Sequence, residues 1–202
     1  MARWLKCKEE AIPFLYLGLP VGGNMSSSAS WQPIIEKFKS CLSVWKARHL
    51  SIGGRLCLCK SVLGSLGTYY FSMFKAPKKV ISTLEIIRCH FFWGGTEDVK
   101  KISWVVWDRV LSDKKSGRLG IGSLRTLNLA MLAKWWWRER TEVHAIWNAV
   151  VRYCNLTQFL SGASRDRRTV WSNIKSTEKN LGDIGININS LLIDAPDRNR
   201  WS

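Results

Sequence analysis

Apolar side chains recur at helical spacing through much of this chain. Ile34, Phe38, Cys41 and Trp45 form one such stripe, and Lys37, Lys39, Lys46 and Arg48 are distributed around the rest of that helix. Ser30 stands where a helix cap is wanted, and Pro33 falls in the opening turn, where its missing N–H costs nothing. A second helix is expected from about Ile52, with Leu56, Cys59, Leu63 and Leu66 in register, interrupted at Gly67 and followed by Tyr69-Tyr70-Phe71 and Met73-Phe74. Pro77 starts a third, where Val80, Leu84, Ile87 and Phe91 keep the period until Trp93-Gly94-Gly95 ends it. Ser123 caps a fourth, whose stripe is Leu124, Leu127, Met131 and Trp135 with Leu132 and Trp136 beside it. A further helix is expected from Val143 to Tyr153, and a short amphipathic piece around Val170, Trp171 and Ile174. Strand character is confined to Ile12–Val21, which runs into Gly22-Gly23-Asn24 and a Ser-rich turn, and to a short candidate at Ile102–Trp107. The fold class expected is mainly α, with a short β segment first.

The pattern divides the chain into residues 1–29 (strand and Ser-rich turn), 30–93 (a basic three-helix unit), 94–122 (a connector), 123–155 (a Trp-rich helical hairpin) and 156–202 (a linker, poorly ordered toward its end). The stretch from Trp45 to Lys75 organises the rest. In it the polar turn Ser51-Ile52-Gly53-Gly54-Arg55 opens the second helix, with Ser51 as cap. The turn serves one of two ends. Gly53 and Gly54 let two helices approach closely, or the first backbone N–H groups meet a phosphate beside Arg55. On the local residues alone the close approach is the stronger.

Charge changes that picture. The 202 residues carry 31 lysines and arginines against 15 acids, a formal net charge of +16. Between residues 30 and 92, ten basic side chains face only Glu36 and Glu85. An excess of one sign concentrated on a few helices costs self-repulsion, which favours a phosphate-facing surface over a merely solvated one. The candidate contacts are Lys37, Lys46, Arg48, Arg55, Lys60 and Lys75, with Gly53 and Gly54 allowing close approach. The partner expected is the backbone of RNA, DNA or an RNA–DNA hybrid, not a membrane. No apolar run approaches the roughly 20 residues of a spanning helix, and no signal peptide opens the chain. Lys114, Lys115 and Arg118, on a Gly-flanked loop, either hold a backbone phosphate or form a plain exposed loop. The twelve tryptophans include Trp135-Trp136-Trp137, which cannot all face one side because successive residues turn by about 100°. One indole is therefore expected near the surface, with packing favoured over base stacking for the run as a whole.

Catalytic chemistry is thin. His49, His90 and His144 have no triad or metal partners nearby in sequence. The adjacent acids Glu9-Glu10 and Glu97-Asp98 lie in polar stretches, not after an apolar strand as a Mg²⁺ site of a polymerase or nuclease wants. Phosphate-loop and dinucleotide motifs are absent. Cys7, Cys41, Cys57, Cys59, Cys89 and Cys154 show no framework spacing and fit reduced thiols of an intracellular protein. Cys57 and Cys59, two apart on a helix, point to opposite sides and cannot share a metal. No catalytic or metal residue is assigned, no cofactor is expected in this chain, and the chain alone is not expected to be an enzyme.

Phe14-Leu15-Tyr16-Leu17-Gly18-Leu19-Pro20-Val21-Gly22 resembles the "YLGLPVG" segment of plant-type non-LTR (LINE) retrotransposon reverse transcriptases. The likeness continues in order through Trp31-x-Pro33, Trp45-Lys46, Leu50-Ser51-x-Gly53-Gly54-Arg55, Ser61–Leu66, Tyr69-Tyr70 and Phe74-Lys75-x-Pro77. It goes on with Phe92-Trp93-Gly94-Gly95, Ile102-Ser103-Trp104-Val105-x-Trp107, Gly117-x-Leu119-Gly120-Ile121-Gly122-Ser123-Leu124, Asn128-x-Ala130-x-Leu132-x-Lys134-Trp135 and Trp137-Arg138. Asp197-Arg198-x-Arg200-Trp201 resembles the start of that family's zinc-binding module. The resemblance implies a helical thumb and connector, downstream of the palm, that grips the template–primer duplex. The family's paired catalytic aspartates, and the Mg²⁺ they hold, belong to that palm and have no counterpart here. The expectation is a fragment of an RNA-directed DNA polymerase, partnered by nucleic acid and by the palm of a parent polyprotein, and nuclear if functional. The alternatives are a helical protein-interaction module and a non-functional retroelement remnant.

Overall fold

A computed structural model describes residues 11–44, 49–95, 101–111, 119–160 and 170–182. Among them are eight α-helices and one two-stranded antiparallel sheet near the N-terminus, so the chain is mainly helical. They divide into two compact units, one within Met1–Tyr70 and Ala76–Leu124, the other within Phe71–Lys75 and Arg125–Ser202.

In the first unit the expected single strand is a hairpin. β1 (Phe14–Tyr16) pairs with β2 (Leu19–Val21) through Phe14↔Val21 and Tyr16↔Leu19. Leu17 (φ 50) and Gly18 (φ 80) make the two-residue turn, both in the left-handed region that matches the twist of paired strands. The Tyr70 hydroxyl donates to the Gly18 carbonyl at 2.9 Å and fixes the turn. The helix start also differs from expectation. Ser27, not Ser30, is the cap, accepting from the Ala29 N–H at the head of a 3-10 turn, Ser28–Trp31. That turn leads into α1 (Gln32–Val44), while Ser30 donates its hydroxyl to the Asn24 carbonyl. The tighter turn buries Trp31 completely and brings its indole N–H to the Met25 carbonyl.

α2 (Ile52–Ser61) is capped as expected, the Ser51 hydroxyl accepting from the Gly54 N–H at 3.2 Å. It stops earlier than its apolar period suggests, and α3 (Thr68–Met73) resumes after a run of turns. Gly64 marks the tight place, since a Cβ there would lie 2.5 Å from the Lys60 carbonyl oxygen. α4 (Lys78–Phe92) begins directly after Pro77. Its end is a closed C-terminal motif: Gly94, at φ 76, donates to the Phe91 carbonyl and Gly95 to the His90 carbonyl. Both α1 and α2 pack on α4. The shared core holds Trp31, Ile34, Phe38, Cys59, Leu63, Val80, Leu84, Phe91 and Phe92. Burying side chains of this size contributes about 1.5–3 kcal/mol each.

The candidate strand at residues 102–107 does not form. Ile102 and Trp104 are exposed, Trp107 opens the one-turn α5 (Trp107–Val110), and no strand among the described residues pairs with this stretch to take its backbone groups. The stretch read as connector contributes Val110 and Ile121 to the buried set of this unit.

The second unit is built on α6 (Leu124–Thr141), α7 (Ile146–Leu160) and α8 (Val170–Gly182). Leu129, Leu132, Trp136, Ile174 and Leu181 make its core, with Trp135, Trp137 and Trp171 packed against it. Of the tryptophan run, Trp136 is fully buried and its two neighbours are half-buried, which is the packing outcome. Asn128 donates to the Phe71 and Phe74 carbonyls, and Trp135 to the Ser72 carbonyl, holding Phe71–Lys75 in this unit. The poor order expected toward the end of the chain falls on residues that the structure does not describe. Thr177 and Leu181 keep α8 on the core to Gly182, and residues 183–202 lie outside the described residues.

Candidate nucleic-acid interface

The basic unit is assembled around a buried ion pair. Arg88, 1 % exposed, donates from Nη1 to both Glu85 carboxylate oxygens at 3.1 and 3.0 Å. The same guanidinium donates to the Gly122 carbonyl from Nη1 and Nη2, each at 3.1 Å. Glu85 also accepts from the Trp107 indole N–H at 2.9 Å and from the Leu124 N–H, in the same unit, at 2.8 Å. Two charges among apolar neighbours are tolerated because most of their hydrogen-bonding positions are filled from several directions, Arg88 Nε being left without a partner among the described residues. One of the ten cations counted in the sequence is thus a structural group and not a surface one.

Cys59, beside this pair, is buried, and its desolvation pushes the thiol up to about 12. Burial likewise raises Cys89 and Tyr70. None of these groups is a nucleophile near neutral pH. Cys57 is exposed while Cys59 is buried, as positions two apart on a helix require. Among the described residues no group of three His, Cys, Asp or Glu side chains is placed to hold a metal ion. No described helix is long and apolar enough to cross a membrane.

The candidate contact residues are distributed as follows. Lys37 is exposed on α1, as are Lys39 on the same helix and Lys78 and Lys79 at the start of α4. Lys60 is half-buried in the last turn of α2. Gly53 is exposed and Gly54 half-buried at the head of α2. Arg55 is half-buried with its guanidinium laid against Gly94, where an added Cβ would collide with Nη1. The head of α2 is therefore locked to the end of α4 by an arginine on a glycine. Lys75 belongs to the second unit and donates to the Ser176 hydroxyl at 3.2 Å. Lys46, Arg48, Lys114, Lys115 and Arg118 lie outside the described residues.

Charged groups of the second unit escaped the sequence reading. Arg138 makes a two-pronged pair with Glu142 at 2.8 Å per contact, which raises its already high pKa, and stacks between Trp135 and Trp147. Arg140 lies over the face of Trp136, its guanidinium carbon 3.6 Å from the ring centroid. The Trp136 indole N–H donates to Glu178 at 3.1 Å. Helical i, i+4 spacing identifies Arg138 with Glu142, but nothing local brings α8 to α6.

Two curated relatives, both from Arabidopsis thaliana, are similar to this chain. One, named "Putative ribonuclease H protein", is 31% identical over 150 residues, covering 74% of this chain and 24% of the relative. The other, named "Uncharacterized mitochondrial protein", is 32% identical over 89 residues, covering 44% of this chain and 58% of the relative. The chain thus spans about a quarter of the first relative and under two thirds of the second. No family model matches it, and no solved structure does.

Proposed function

We propose that this chain is the thumb-and-connector part of a retroelement reverse transcriptase of the LINE type, gripping template–primer nucleic acid through its phosphates and carrying no catalytic residues of its own. The observation that carries this is a net charge of +16 on a helical scaffold, with exposed Lys37, Lys39, Lys78 and Lys79 on one compact unit. The ordered motif series and the similarity to a plant relative named for ribonuclease H support the retroelement origin. Exposed lysines at helix surfaces neutralise phosphates without reading bases, so binding is indifferent to sequence and steep in salt.

Titration of the whole chain on a labelled RNA–DNA hybrid at several salt concentrations tests this. A log–log slope of about −3 to −5 is expected, and Lys37→Gln with Lys60→Gln makes it shallower by about 2. Absence of binding at low salt would sink the proposal.

A further inference from the structure

The second unit contains a groove of about 360 Å³ lined by Trp136, Glu139, Arg140, Arg152, Lys175 and Glu178. Its cations come from three different helices, Arg140 from α6, Arg152 from α7 and Lys175 from α8. No short sequence motif assembles them. Arg140 is fixed by stacking on Trp136, and Glu178 is engaged by the Trp136 indole N–H at 3.1 Å and by Arg140 at 3.8 Å. Arg152 and Lys175 are exposed and make no ion pair with a described residue.

We propose that this groove is a second phosphate-contact site, holding the backbone of a nucleic-acid strand between Arg152 and Lys175 with Arg140 as its fixed wall. A guanidinium held over an indole face has already given up much of its rotamer freedom, so it loses little more on meeting an oxyanion. Trp136 is 1 % exposed and covered by Arg140, so the site takes the phosphate and not a stacked base. Three cations against Glu139 and Glu178 leave the groove one charge positive. The ligand's identity as nucleic acid rests on the function proposed above; the convergence of cations does not.

The test uses the intact chain and the same RNA–DNA hybrid. Arg152→Gln and Lys175→Gln are each expected to reduce the salt slope by about 0.9, and together to add. Lys134→Gln removes one charge from an exposed position on α6, about 160° round the helix from Trp136. It is expected to leave the slope unchanged. In parallel, the hybrid is expected to protect Lys175, but not Lys134, from acetylation. Equal slopes for Lys175→Gln and Lys134→Gln, with Lys175 unprotected, overturn the groove while leaving hybrid binding intact. If the unaltered chain fails to bind, the proposed function and the groove fall together. All three positions are exposed, so circular dichroism is expected to show unchanged folding.

Discussion

Glu85→Ala is the most informative single change in the first unit. It strands Arg88, 1 % exposed, with the Gly122 carbonyl as its remaining side-chain partner among the described residues, and it removes the acceptor for the Trp107 indole and the Leu124 N–H. Removing one member of a buried ion pair costs about 3–5 kcal/mol, because the survivor's charge stays desolvated. Against a typical domain stability of roughly 5–15 kcal/mol that is a large fraction. At about 2–4 °C per kcal/mol for a chain of this size, it corresponds to a melting temperature lower by roughly 6–20 °C. Two units need not unfold together, so urea melts are to be paired with hydrogen exchange of the α4 amides, which reads the first unit alone. Glu36→Ala is the control. That acid, on the exposed side of α1, accepts from the Gln32 side chain at 3.2 Å, and its loss is expected within about 0.5 kcal/mol. Glu85→Leu with Arg88→Met is expected to recover part of the loss, the Leu124 N–H and Gly122 carbonyl still lacking partners. A Glu85→Ala cost below about 1 kcal/mol, the range of a surface ion pair, would refute the reasoning.

Two further outcomes follow from the same unit. Gly94→Ala is expected to cost about 1–2 kcal/mol from its positive φ alone, and more because the new Cβ must push aside the Arg55 guanidinium. Comparing its urea midpoint with that of Gly18→Ala, where φ is 80 but a Cβ meets nothing within 4 Å, separates the two effects. Cys59 in the folded state is raised from 9.0 to about 12, so folding favours its neutral thiol. Its contribution is complete below pH 9 and is lost as pH rises from 9 toward 12. Thiol labelling at pH 8 is expected to modify Cys57 and Cys154 quickly and Cys59 only on unfolding, and rapid labelling of Cys59 would contradict its burial.

Helix identity in this chain is a local matter, and it was legible. Ser51 with the glycines after it, Pro77, the Gly94-Gly95 ending and the apolar stripes of α1, α4 and α6 act within one or two turns, so sequence alone placed them. Charge is a sum over residues, and +16 follows from composition. Tertiary packing decided the rest. It made Glu85 and Arg88, two ordinary charges in the count, the buried pivot of a unit, because their partners Trp107, Gly122 and Leu124 lie 22 to 39 residues away. It turned Arg55 toward Gly94, placed Lys75 against α8, and gathered Arg140, Arg152 and Lys175 from three helices into one groove. Periodicity says which face of a helix is apolar, but not which other helix that face will meet, and a site built from several helices exists only after that meeting.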